Sequence, residues 1–113
     1  MPRDYKLYLE DILRAIEKIE EYSKDVSFTQ LSENHLLLDA ILYNLQIIGE
    51  AAKHISDEVK KKHPEIEWRK IAGLRDIVAH EYFGISLEIV WDILQNKLPS
   101  LHTAINSIFE ESL

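Results

Sequence analysis

Eight residues carry the densest chemistry in this chain: Arg75-Asp-Ile-Val-Ala-His80-Glu-Tyr82. Arg supplies a permanent cation whose planar fork matches phosphate oxygens. His titrates near neutral pH and can take or give a proton there. The pairing suggests work on a phosphodiester, with side chains supplying both the proton transfer and the charge stabilisation, and no metal is expected. Set on a helix at about 100° per residue, Asp76 and His80 fall about 100° and 140° round from Arg75. Ile71, Leu74, Ile77 and Val78 occupy the opposite arc. The polar residues therefore share a face that the helix does not need for its own packing. Asp76 and His80 are i,i+4 neighbours, so the carboxylate can orient the imidazole. Arg75 and Tyr82, seven apart, lie along one side. A solvated helix face carrying Arg, Asp and His is also common, and the spacing alone leaves both readings open.

The elements that must position these groups are helical. Asp4 can cap a first helix to about Lys24, with Tyr5, Tyr8, Leu9, Ile12, Leu13, Ile16 and Ile19 as its apolar stripe. Residues 25–31 read as a connector that can hold one turn. A second, long helix runs from Ser32 or Glu33 to Ile55. Ser56 can cap a short third, with Lys60, Lys61 and Lys62 in its last turn and Pro64 stopping it. Glu67 to Phe83 reads as a fourth helix with Gly73 a possible irregularity. Ser86 caps a final segment from Leu87 to about Glu110, kinked or broken near Pro99. With no convincing strand, the fold class is all-α: one domain over residues 1–113, a compact antiparallel bundle of four to five helices.

The second helix is apolar nearly all round and should be central. Its polar residues Asp39, Gln46, Glu50 and Lys53 cluster within roughly 60° of one another, with Tyr43 beside them. They form either a narrow solvent stripe or a polar seam facing the motif helix, where Glu50 would pair with Arg75 or His80. His35, His54, His63 and His102 read as ordinary surface or partly buried residues, and His102 has no evident partner. Trp68 and Trp91 read as core or interface anchors.

The net charge of −7 in 113 residues counts against a non-specific nucleic-acid binder. Residues 53–70 are the exception: six basic residues against four acids give a local +2. Lys53, Arg69 and Lys70 are candidate RNA contacts beside the motif, although Lys60 to Lys62 also suit a helix C-terminus. The absence of Cys excludes a disulfide framework and thiolate chemistry, and fits a cytoplasmic location. No run of about 18 apolar residues is present, so no membrane span is expected. No group of His and carboxylates has a metal-ligand spacing.

Arg75-x4-His80-x-Tyr82 resembles the Arg-x4-6-His motif of the HEPN superfamily and, more narrowly, the form found in HepT-like toxins. Ile48-Gly49-Glu50-Ala51-Ala52-Lys53 is similar to that family's second-helix segment. Trp68-Arg-Lys-Ile-Ala-Gly-Leu-Arg75 resembles its approach to the motif, and Tyr82-Phe83-Gly84-Ile85 and Ile89-Val90-Trp91 its exit and last helix. The resemblance implies a dimeric helical bundle acting as a metal-independent, cofactor-free endoribonuclease on tRNA or mRNA, the toxin of a type II toxin–antitoxin pair. Arg75 and His80 would be catalytic, Asp76 and Glu50 supporting. The implied partner is an MNT-type minimal nucleotidyltransferase that neutralises the toxin by transferring AMP to Tyr82. A different class fits the same residues: a non-catalytic nucleotide-binding or substrate-binding subunit of such a nucleotidyltransferase. A third is a purely structural dimerisation module.

Overall fold

The computed structural model describes residues 4–81 and 84–112. Four long helices make the bundle: α1 (Tyr5–Tyr22), α3 (His35–Lys53), α5 (Trp68–Glu81) and α7 (Leu98–Glu111). Three six-residue helices join them: α2 (Phe28–Glu33), α4 (Asp57–Lys62) and α6 (Leu87–Asp92). No strand occurs among the described residues, so the all-α class holds. No described helix is long and apolar enough to cross a membrane.

Helix starts follow the caps read from the sequence. Asp4 accepts from the Lys6 amide at 3.0 Å, Ser56 from Val59 at 3.3 Å and Ser86 from Ile89 at 3.4 Å. Each satisfies an amide that the first turn leaves without a carbonyl. Several boundaries differ from expectation, and α3 ends at Lys53 where Ile55 was expected. Residues 28–33 form α2, fixed by a reciprocal capping box between Ser27 and Gln30. Asn34 then ends α2 and caps α3, accepting from the Leu37 amide at 3.0 Å, so α3 starts at His35. Gly73, expected as a possible irregularity, sits inside an unbroken α5.

The expected kink near Pro99 takes a specific form. A π-helical turn, Ile93–Lys97, stands between α6 and α7. The wider turn leaves room where the proline ring would otherwise meet the preceding turn's carbonyl. Pro99 then sits in the first turn of α7, where an absent N–H costs little.

The core is aliphatic. Leu9, Ile12, Ile16 and Ile19 of α1 are fully buried against Ile41, Leu45 and Ile48 of α3 and Ile105 and Ile108 of α7. α3 packs on α1 along one flank and on α5 along the other, which is why it is apolar nearly all round. Its single buried polar residue, Asn44, donates to the Ala40 carbonyl at 2.8 Å. Trp68 is buried at the start of α5 and donates from Nε1 to the His63 carbonyl at 3.0 Å. Trp91 meets Phe28 edge to face with centroids 5.9 Å apart.

Candidate active site

The site is built where α3 and α5 cross. Gly49 is at the crossing point, and a β-carbon there would lie 2.5 Å from the Arg75 amide nitrogen and 3.1 Å from the Ile71 carbonyl. A bare backbone at Gly49 thus lets the two helices touch at Arg75. The next residue on α3, Glu50, is carried directly to the guanidinium: Oε2 lies 3.4 Å from Arg75 Nε. Asp76 closes the other side, with Oδ1 accepting from Arg75 Nη1 at 3.2 Å. Arg75 is 39% exposed, open to solvent between two carboxylates.

His80 lies one turn further along α5, exposed, with no hydrogen bond or ion pair to another described residue. The Asp76–His80 contact that the i,i+4 spacing allows is not made, because Asp76 turns to Arg75. The guanidinium is a permanent cation with a planar fork of donors, which makes it a strong partner for a carboxylate. Lys53 and Arg69 are exposed at the end of α3 and the start of α5. Lys70 is committed to Glu67, with Nζ 2.7 Å from Oε2. That hydrogen bond and charge pair hold the Glu67 carboxyl below its ordinary range and the Lys70 ammonium above its own. Tyr82, the expected modification site, lies outside the described residues.

Two features go beyond the sequence reading. His54, read as an ordinary surface residue, is joined to the site: its Nε2 lies 3.5 Å from Glu50 Oε1. Its ring stacks on Tyr8, centroids 4.9 Å apart at 15°. Glu50 is thus shared between Arg75 and His54, and the i,i+4 spacing of Glu50 and His54 was the available signal. His102, expected to lack a partner, clasps α7 to α1, with Nδ1 2.9 Å from Glu20 and Nε2 4.0 Å from Glu17. The polar seam of α3 does face α5 over its second half. Tyr43, Gln46, Ile47, Glu50 and Arg75 line an open cleft of about 250 Å3. Among the described residues no group of three or more His and carboxylates could hold a metal ion.

The described residues form an all-α bundle that carries an arginine and a histidine, five residues apart, on one helix. Comparison with known proteins narrows this: residues 12–108 match the family model described as "Ribonuclease HepT-like", and the chain belongs to that family. It is 42% identical over 101 residues to the "Probable ribonuclease HepT" of Thermococcus cleftensis, covering 89% of this chain and 92% of that one. It is 36% identical over 104 residues to a protein of Caldanaerobacter subterraneus subsp. tengcongensis that is named provisionally as an RNase, covering 92% of this chain and 93% of that one. A Methanocaldococcus jannaschii protein, named for both a gamma-glutamylcyclotransferase and a provisional RNase, is 39% identical over 111 residues. That match covers 98% of this chain, which spans half of the longer protein's length. No solved structure matches.

Proposed function

We propose that this protein is a metal-independent endoribonuclease that uses Arg75 and His80, and that it acts as the toxin of a toxin–antitoxin pair. The observation that carries this is the Arg75 guanidinium, set by the Gly49 contact, held by Glu50 and Asp76, yet open to solvent on the same helix as the exposed His80. The ribonuclease names of its relatives support it.

In the proposed reaction the RNA 2′-hydroxyl attacks the adjacent phosphorus while the bond to the 5′-oxygen breaks. Neutral His80 takes the 2′-hydroxyl proton, and the departing 5′-oxygen receives one. The products are a 2′,3′-cyclic phosphate and a 5′-hydroxyl. Arg75 binds the phosphate and stabilises the negative charge that grows on its oxygens. Glu50 and Asp76 orient the guanidinium. One histidine serves as base, and a second proton donor is needed for the leaving group. A two-fold homodimer that pairs the α5 faces would supply the second His80.

The neutralising partner in this reading is an MNT-type nucleotidyltransferase that transfers AMP to Tyr82, two residues beyond His80. A phosphate and an adenosine placed there would compete with RNA for Arg75. The test is incubation of partner-free protein, its mass confirming an unmodified Tyr82, with tRNA and mRNA in EDTA. Cleavage by wild type and none by His80→Ala is the expected result. No cleavage by either would replace this reading with a nucleotide-binding subunit.

A further inference from the structure

We propose that the cleft beside Arg75 is a subsite for one unpaired nucleobase, stacked on Tyr43 and read at its edge by Gln46. The proposal deepens the ribonuclease reading and rests on it. Tyr43, Gln46, Ile47 and Glu50 follow one another at i, i+3, i+4 and i+7 on α3, so they form a continuous strip of its surface. Each supplies something a base needs. Tyr43 is 65% exposed and brings a planar aromatic side chain beside a charged site. Ile47 is half-buried and gives the cleft an apolar wall. Gln46 makes no hydrogen bond to another described residue, so its amide can offer both a donor and an acceptor to a base edge. Arg75 stands at one end, where the phosphate of the same nucleotide would sit.

Size and charge select the same ligand. About 250 Å3 is below the ~300–1,000 Å3 of sites for drug-sized molecules, and suits one ring system rather than a folded strand. The Glu50 carboxylate in the cleft wall repels a phosphate and accepts from an exocyclic amino group. The neutral base therefore enters and the phosphate stays outside on the open side of Arg75. Single-stranded RNA is the form whose bases are free to turn out and stack on an aromatic ring in this way.

The test is fluorescence anisotropy with labelled single-stranded RNA octamers, and with an abasic ribose-phosphate octamer of the same charge. His80→Ala serves as the background so that no probe is cut. Adding Tyr43→Ala should weaken binding of base-bearing octamers roughly 5- to 100-fold. The abasic octamer should bind as before, and Tyr43→Phe should retain full affinity. Gln46→Leu should reorder the preference among A, C, G and U octamers. Unchanged affinity in Tyr43→Ala, or equal weakening for the abasic chain, would overturn the subsite. So would a change in molecular mass by light scattering, which would give the ring to a second copy of the chain. If wild type cleaves RNA and Tyr43→Ala still binds it fully, the subsite alone fails. If wild type neither binds nor cleaves RNA, the ribonuclease reading fails with it.

Discussion

Replacing Gly49 with Ala tests the helix crossing on which the site depends. The added β-carbon would meet the Arg75 amide nitrogen at 2.5 Å, against the 3.4 Å at which ordinary contact begins. The shortfall is about 1 Å, and its partner is backbone, which cannot rotate aside. α3 and α5 must separate locally or bend, at a cost of about 1–3 kcal/mol for overpacking. Alanine also favours a helix over glycine by about 1 kcal/mol, which works the other way. Gly73 separates the two effects. It is equally helical, and a β-carbon there meets nothing within 4 Å. Gly73→Ala should therefore show the propensity gain alone, and the difference between the two variants should be the steric cost, about 1–3 kcal/mol. In a domain of this size that is a gap in Tm of about 4–12 °C, read by thermal unfolding followed by circular dichroism at matched protein concentration. RNA cleavage should fall further than stability, by roughly 100-fold, because a shift of about 1 Å at Arg75 misplaces the phosphate. A Gly49→Ala protein as stable as Gly73→Ala would show that the two helices do not meet at Arg75.

Three other outcomes follow from the geometry. Glu50→Gln should lower RNA cleavage roughly 10- to 100-fold by freeing the guanidinium, while Tm stays within about 2 °C because the pair is half-exposed; equal cleavage in variant and wild type would remove Glu50 from the site. Asp76→Asn should raise RNA affinity about two- to fivefold at low salt, measured by anisotropy, since one of two carboxylates competing with phosphate is lost; weaker binding would mean that Asp76 orients Arg75 more than it repels RNA. Lys70→Ala should move the Glu67 carboxyl titration upward when followed by NMR. Glu67 is depressed by the hydrogen bond and charge of Lys70, so the pair's contribution is present above the ordinary carboxyl pKa and lost as pH falls through the lowered one; Lys70, raised, loses its share as pH climbs through its own folded value.

The sequence pattern was most informative where it was long and periodic. The α1 stripe from Leu9 to Ile19 and the all-round apolarity of α3 mark the core because a helix buries what repeats at 3.6 residues. Six residues are too few to show that period, which hides α2, although Ser27 and Gln30 carry the spacing of a capping box. The Glu50–Arg75 pair could be anticipated from the clustering of polar residues on an otherwise apolar helix. Its closeness could not, since that depends on Gly49 meeting the Arg75 backbone, a contact between residues 26 positions apart. Spacing also permitted an Asp76–His80 pair, but it does not rank competing partners, and the neighbouring guanidinium takes the carboxylate. His102 looked unpartnered because Glu17 and Glu20 belong to a helix some 80 residues earlier.

The two carboxylates around Arg75 also bear on how binding should respond to ionic strength. A cation that waits in solvent gathers no fixed counter-charge, and binding it to RNA sheds small ions from the strand, which steepens the fall of affinity with added salt. Arg75 already holds its counter-charges covalently in the chain, and they cannot diffuse away. When a phosphate binds on the open side of Arg75, Glu50 and Asp76 remain beside it and retain mobile cations of their own. Fewer ions are released in total. An RNA-binding curve for this protein should then be shallower in salt than its contact residues would suggest, and an acidic chain of this kind would depend less on a dilute medium than a basic one.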